Sequence, residues 1–455
     1  MKPYAATLSA LILIFSLSCG SARIDTNRAS RDDHSNAITG LNEPNVTFED
    51  RTDEVVGQAQ RLIHKNAREG AVLSQRWYTL KRLGQYQDAI FSASQIVFYG
   101  GLEKEVRAHL ERDYTSLVAL EKDQEPGDIR LFSAKRESAQ HDLVIIGQNG
   151  REVALKTIIR LIYLAGFADA ERQRKHRNAL HSFTESLKVF LSSRSARQEF
   201  IGFFAKHGVS SPDTVLIGFI GDTRALLKAQ GIQDPELYSD ESLRINWFKN
   251  ANGRKVLLVS IDYNRIYASR SGDLIEAIFA VSGASLPVIV FLGSGGAIED
   301  PSIVGQIVTP TMVLNGDPFP ARQHTGVLVH LIRNKAVAQT SIKTAHASVE
   351  NVVVETTRWA ESMKSNRVRT VDQELFHIIK AVNSRANVQK VEMYVGVLVT
   401  DNVSSNVDGN TDMTLEHAEE TISKTATARN EFLANILTEL RILEPDEIRS
   451  SQQRR

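Results

Sequence analysis

The chain has 455 residues, about three times an ordinary domain, so two or more domains are expected. Its 54 Lys and Arg balance 54 Asp and Glu, which excludes a partner held by bulk charge, nucleic acid included. The single cysteine, Cys19, excludes an internal disulfide.

Residues 1–22 hold a lysine, an apolar run over 5–17 and then small residues. That is the pattern of a secretory signal, too short for a stable membrane span. Cys19 follows the run in Phe15-Ser16-Leu17-Ser18-Cys19-Gly20. The stretch resembles a bacterial lipoprotein processing site. This implies a lipidated Cys19 and an exported protein anchored to a membrane of the bacterial envelope. Ser16 stands where that pattern usually has Leu, so cleavage after Ala22, leaving a periplasmic protein, is the alternative. Residues 23–53 are polar and read as a flexible tether.

From 54 to about 120 apolar residues recur at helical spacing: Val55, Ala59, Leu62 and Ile63, then Leu73, Trp77, Leu80 and Leu83. Residues 83–90 resemble half a tetratricopeptide repeat with no second copy, which predicts an isolated helical hairpin. Trp77 and Tyr86 read as packing residues. A charged break with Pro126-Gly127 follows, and 152–207 is mostly helical again. The basic run 171–177 has no interleaved aromatic and reads as a solvated helix face. An all-α region over 54–207 is therefore predicted.

Pro212 opens the next region. Residues 214–220 read as a strand, and Gly221-Asp222-Thr223-Arg224 leads into a helix over 225–230. A strand, a glycine turn and a helix start can hold an anion through backbone amides and the helix dipole. The plainer reading of Arg224 is a surface arginine. A strand over 255–261 and a helix over 273–281 follow. The apolar run 288–292 predicts a strand buried on both faces. It stops at Gly293, and Ser294, Gly295 and Gly296 form a tight turn or a close backbone approach to a ligand. Residues 327–332, 336–342 and 350–354 look strand-like. A helix over 375–382, a strand over 391–401 ending on Asp401, a closing helix over 415–443 and a polar tail over 444–455 complete the chain. Strands alternating with helices predict an α/β domain with a mixed sheet over 212–443.

Four stretches, Gly293–Gly296, Gly305-Gln306-Ile307-Val308, Val371–Glu374 and Thr400-Asp401, resemble motifs of the nucleoside phosphorylase and nucleosidase superfamily, in the family order. Those motifs are a Gly-Ser/Thr-x-Gly-Gly turn, Gly-Asp-Ile-Val, Val-Glu-Met-Glu and Ser-Asp. The resemblance spans roughly 212–440, about half the chain. It implies a three-layer, phosphorylase-like α/β fold and cleavage of the N-glycosidic bond of a nucleoside or related N-riboside. Such cleavage builds an oxocarbenium-like sugar and charge on the departing base, so it needs a proton donor and a group that orients the sugar. The resemblance casts Asp401 as general acid and Glu374 as the carboxylate on the ribose hydroxyls. It places Gly221, Arg224, Gly293, Ser294 and Gly295 around phosphate and sugar, with Gln373 where the family has Met.

The chain also departs from the family. Asp262-Tyr263-Asn264-Arg265 replaces a Gly-x-Gly turn, and Phe291 stands where phosphorylases often have a second phosphate-binding arginine. Val352, Val353 and Val354 occupy the region of a base-stacking aromatic, for which Phe376, His377 and Trp359 are substitutes or simply core. Arg224 also falls where nucleosidases carry a water-activating acid. Phosphate and water both stay open as nucleophile, inorganic phosphate being the one candidate co-substrate, with no metal or other cofactor expected. Family members usually form dimers or hexamers whose neighbours complete the site, which implies a homo-oligomer. The alternatives are a nucleoside-binding protein without turnover and a partner-binding envelope scaffold. Under either, Asp401 caps a loop and Glu374 is a first-turn helix acid.

Overall fold

The computed structural model describes residues 46–69, 83–120, 129–138, 140–167, 183–229, 237–239, 243–250, 252–260, 266, 268–283, 285–298, 300–316, 326–328, 342–349, 355–386, 391–403 and 419–443. The described residues all belong to the larger of two units, Val46–Arg455. Cys19, Trp77 and residues 171–177, 262–265, 350–354 and 444–455 lie outside the described residues. No described helix is long and apolar enough to cross a membrane.

The first half of the larger unit is built on a sheet, which corrects the expected all-α region over 54–207. Its strands are β1 (Phe48–Asp50), β2 (Ile96–Gly100), β3 (Ser116–Ala119), β4 (Ile129–Lys135), β5 (His141–Gly147) and β6 (Leu187–Ser192), in the order β1-β6-β2-β5-β4-β3. β2 runs parallel to β5 and β6, and β2 is buried throughout. Strands buried on both faces read as plain apolar runs, without the alternation that marks a half-exposed strand. Ile96, Phe98, Leu143 and Ile145 face α1 (Thr52–Glu69) and α4 (Arg151–Phe167). Val97, Tyr99, Val144 and Ile146 face α3 (Glu103–Leu110) on the other side. In place of a helical hairpin, 83–92 hold a short 3-10 turn and α2 (Gln87–Ser92), with Leu83, Tyr86 and Ile90 in the core.

The second sheet has the order β13-β12-β14-β15-β11-β7-β10-β9-β8, with β16 joining β11 to β12. Its members are β7 (Thr214–Gly218), β8 (Leu237–Ser239), β9 (Arg244–Lys249), β10 (Lys255–Ser260), β11 (Val288–Ala297), β12 (Ile307–Asn315), β13 (Gly326–Leu328), β14 (Ile342–Ser348), β15 (Val368–Asp372) and β16 (Met393–Asn402). The pairs β11–β16, β16–β12, β12–β14, β14–β15 and β15–β11 close a ring within the sheet. Helices cover both faces of the open part. Val215, Ile217, Leu257, Ile289 and Phe291 pack against α5 (Ala196–Lys206), α7 (Ser269–Ser282) and α9 (Leu375–Ala386). Leu216, Leu258, Val290 and Tyr394 pack against α6 (Ile220–Ala229) and α10 (Glu419–Glu439). This is the expected mixed-sheet, three-layer arrangement. Of the strand expected over 336–342 only Ile342, where β14 begins, is among the described residues, and the Gly305-Gln306-Ile307-Val308 motif opens β12.

The two sheets share a core. Residues of α1 and α4 belong to one hydrophobic cluster with Ala268, Ile298, Val349, Trp359, Met363, Val371 and Val403 of the second half. α8 (Thr357–Ser365) lies against α1.

Candidate functional site

β10, β7, β11 and β16 run parallel, so their carboxyl ends share one edge of the sheet. On one side β11 pairs with β7 up to Phe291 and with β15 only from Gly296 onwards. Residues 292–295 therefore border a gap between two diverging neighbours. Ligands of open α/β sheets bind in such a gap, outside the carboxyl ends.

The glycine run lies inside β11, not in a turn after it. Each glycine makes room for a particular neighbour. A Cβ on Gly293 would stand 2.6 Å from the Phe291 ring, and one on Gly295 would stand 2.6 Å from the Val371 carbonyl oxygen. A Cβ on Gly296 would stand 2.9 Å from Asp401 Oδ1 and 2.5 Å from Val403 Cγ2. Gly296 and Asp401 are register partners just past a β-bulge between Gly295 and Gly296, where Thr400 is skipped in the register with β11. A bulge re-aims the side chains beyond it. Here it accompanies an Asp401 carboxyl that lies over the bare backbone of Gly296. Ser294 and Asp401 are both partly exposed.

Glu355, which the sequence reading passed over, joins Asp401. It is 5% exposed and precedes Thr356, whose hydroxyl accepts the Trp359 amide at 3.1 Å and caps α8. Loss of water pushes the Glu355 carboxyl up to about 8, with the charge of Asp401 adding to the shift. Near neutral pH Glu355 therefore holds a proton beside Asp401.

Glu374 stands where β15 gives way to α9. The cap of α9 comes from Asp372 and Ser348 and not from Glu374. The Leu375 amide reaches the Asp372 carboxylate at 3.2 and 3.3 Å, and the Phe376 amide donates to Ser348 Oγ at 2.9 Å. The Ser348 hydroxyl donates to Asp372 Oδ1 at 2.5 Å, and His346 Nε2 lies 3.0 Å from the same oxygen. Glu374 is partly exposed, and its Oε2 accepts the Gln373 amide at 3.3 Å. Loss of water raises its carboxyl well above the ordinary range, helped by the charge of Asp372; the Gln373 amide and Lys156 of α4 pull it back. The Ser271 hydroxyl of α7 reaches the Glu374 carbonyl oxygen at 3.0 Å.

Gly221 and Arg224 sit in the first turns of α6, at the same sheet edge. Gly221 is exposed with open space around it, and Asp222 accepts from Arg429 at 2.9 Å. The strand before them ends on Gly218 at a φ of 150°, where a Cβ would lie 2.3 Å from the Leu292 carbonyl oxygen. Only glycine allows that approach. Phe291 is fully buried in the core and cannot meet a ligand. Of the suggested stacking aromatics, Trp359 and Phe376 are core, with Trp359 Nε1 donating to Gly316 O at 2.8 Å. His377 is partly buried, and loss of water lowers it to about 4, so it is neutral at physiological pH.

No family model matches the sequence, and no curated protein matches it. Among solved structures it is similar to the Campylobacter jejuni 5'-methylthioadenosine/S-adenosyl homocysteine nucleosidase, at 13% identity and TM-score 0.37 over 50% of this chain and 98% of that one. It is also similar to the futalosine hydrolase of Helicobacter pylori, at 11% identity and TM-score 0.34 over 48% of this chain and 98% of that one. A methylthioadenosine phosphorylase from an antarctic soil metagenomic library gives 12% identity and TM-score 0.36 over 50% of this chain and 88% of that one. Likeness at this level carries no argument about the reaction. The solved structures that this chain resembles are nucleosidases, a hydrolase and a phosphorylase, over about half of its length.

Proposed function

We propose that the chain cleaves the N-glycosidic bond of a nucleoside or related N-riboside at the carboxyl edge of β7, β11 and β16. The observation that carries this reading is the Asp401 carboxyl lying over a glycine that has no room for a Cβ. Four motifs in the family order support the same site. Glu355 holds the proton that the charged Asp401 takes up and passes to the base nitrogen as the C–N bond breaks and its electron pair leaves with the base. Glu374 accepts the ribose hydroxyls and fixes the sugar while an oxygen of phosphate, or of a water whose proton returns to the Asp401–Glu355 pair, adds to the anomeric carbon. Ser294 lines the gap bordered by 292–295, and Gln373 flanks the sugar.

Gly221 and Arg224 support phosphate as the nucleophile. The buried Phe291 supports water, since no second cation stands there. Release of free base with and without phosphate separates the two. Loss of release in Asp401→Ala ties the activity to this site, and undiminished release in that variant would sink the assignment.

A second reading, a nucleoside-binding protein without turnover, is favoured by one contact. The Gln373 amide already occupies Glu374 Oε2, the group meant for the ribose. Nucleoside binding by calorimetry without release of base would select it. We further propose export with lipidation at Cys19 and assembly as a homo-oligomer. Labelling with radioactive palmitate in wild type but not Cys19→Ser, and a sedimentation mass above one chain, test these two.

A further inference from the structure

We infer that Ser348, at the end of β14, is a positioning residue of the site: its hydroxyl ties the Asp372 carboxylate to the first turn of α9 and so fixes the turn that carries Glu374. The inference rests on the proposed role of Glu374 as the ribose carboxylate.

Ser348 is 2% exposed, too deep to meet a substrate, and a buried hydroxyl must find its partners within the fold. It finds two. The hydroxyl donates to Asp372 Oδ1 at 2.5 Å and accepts the Phe376 amide at 2.9 Å. The Leu375 amide goes to the Asp372 carboxylate itself, at 3.2 and 3.3 Å. The opening amides of a helix have no partners inside it, so each must be met from outside. Here one is met by the acid before the helix and the next by a neighbouring strand. Ser348 and Asp372 are register partners of the parallel pair β14–β15, so both strands pin the start of α9 to the sheet.

The bridge is itself held in place. The Ser348 carbonyl oxygen accepts the Gly316 amide at 2.8 Å, just past β12, and the Asp372 carbonyl oxygen accepts the Val349 amide at 2.9 Å. His346, fully buried, stands beside the Asp372 carboxylate. Its Nε2 lies 3.0 Å from Asp372 Oδ1 and its Nδ1 2.8 Å from Thr370 Oγ1. Across the turn, the Glu374 carbonyl oxygen takes the His377 and Ile378 amides at 3.1 and 3.2 Å and lies 3.0 Å from Ser271 Oγ of α7. Ser348 thus joins the carboxylate before Glu374 to the helix after it. A carboxylate that orients a sugar works by its placement, and about 1 Å of displacement can cost about a hundredfold in rate.

The test uses the full chain as wild type, Ser348→Ala, Ser348→Thr, Glu374→Gln and the Ser348→Ala/Glu374→Gln double variant. Base release is measured on adenosine, inosine and uridine and on their 2'-deoxy counterparts. Ser348→Ala is expected to lower kcat/KM about tenfold on the ribonucleosides and much less on the 2'-deoxynucleosides, which lack a hydroxyl for Glu374 to accept. Ser348→Thr, which keeps the side-chain hydroxyl, restores the preference, and Ser348→Ala adds little to Glu374→Gln. A residue that merely stabilised the fold would lower both sugars alike. Ser348→Cys takes its place if the alanine variant does not fold. Equal loss on the two sugars, or none, overturns the inference. If wild type releases no base, or does not tell the two sugars apart, the role of Glu374 fails instead, and hydrogen–deuterium exchange decides the placement of Ser348. Exchange over 373–379 is expected to be about tenfold faster in Ser348→Ala, with β16 unchanged. Unchanged exchange over 373–379 overturns the inference.

Discussion

Replacing Glu355 with glutamine keeps the shape of the neutral side chain and removes its ability to ionise. In the folded chain the Glu355 carboxyl is pushed from an ordinary 4.5 to about 8. An acid whose folded value is raised stabilises the fold fully below its unfolded value, and that contribution is lost as pH rises through the folded one. The interval is about 3.5, which at about 1.36 kcal/mol per pH unit sets a ceiling near 5 kcal/mol; relaxation around the charge brings the expected effect to about 2–4 kcal/mol. Scanning calorimetry of wild type and Glu355→Gln from about pH 5 to about pH 9 reads this directly. Equal midpoints are expected at the acid end, with the variant melting higher at the alkaline end. In an Asp401→Asn background the alkaline gain shrinks without vanishing, because loss of water is the larger cause of the shift and Asp401 the smaller. A variant whose difference from wild type is the same at both ends, or which melts lower at about pH 9, refutes the reasoning.

Gly296→Ala places a Cβ 2.9 Å from Asp401 Oδ1 and 2.5 Å from Val403 Cγ2, so the Asp401 carboxyl must move. It is expected to cost about 1–3 kcal/mol and to cut base release sharply, checked by melting and by turnover. Arg270→Met leaves Glu199 buried without its cation, an expected loss of about 3–5 kcal/mol in thermal or urea unfolding. Phe291→Arg, which restores the charge phosphorylases often have there, puts a cation in a closed core. It is expected to abolish soluble folded protein on gel filtration rather than to create phosphate dependence.

The second sheet was legible in large part because its strands and helices announce themselves. The run 288–292 and the run 391–401 became β11 and β16, and the helical period over 375–382 became α9. The first sheet was not legible, because β2 and β5 are short apolar runs that periodicity cannot tell from buried helix. Asp401 and Glu374 could be picked out from local motifs. The bulge that lays Asp401 over Gly296 depends on pairing register across more than a hundred residues, which no local pattern carries. Glu355 was invisible for the same reason, since it acquires its meaning from Asp401, distant in the sequence. Local pattern did show that Phe291 was no anion ligand, and the structure adds why it is there: its ring fills the space left by Gly293.

Asp401 and Glu374 are proposed to break an N-glycosidic bond. Release of free base from a panel of nucleosides, measured with and without inorganic phosphate for wild type, Asp401→Ala and Glu374→Gln, tests it most directly. Wild type is expected to release base, and both variants to lose that release while they remain folded. Release that persists in Asp401→Ala, or its absence in folded wild type for every nucleoside offered, would contradict it.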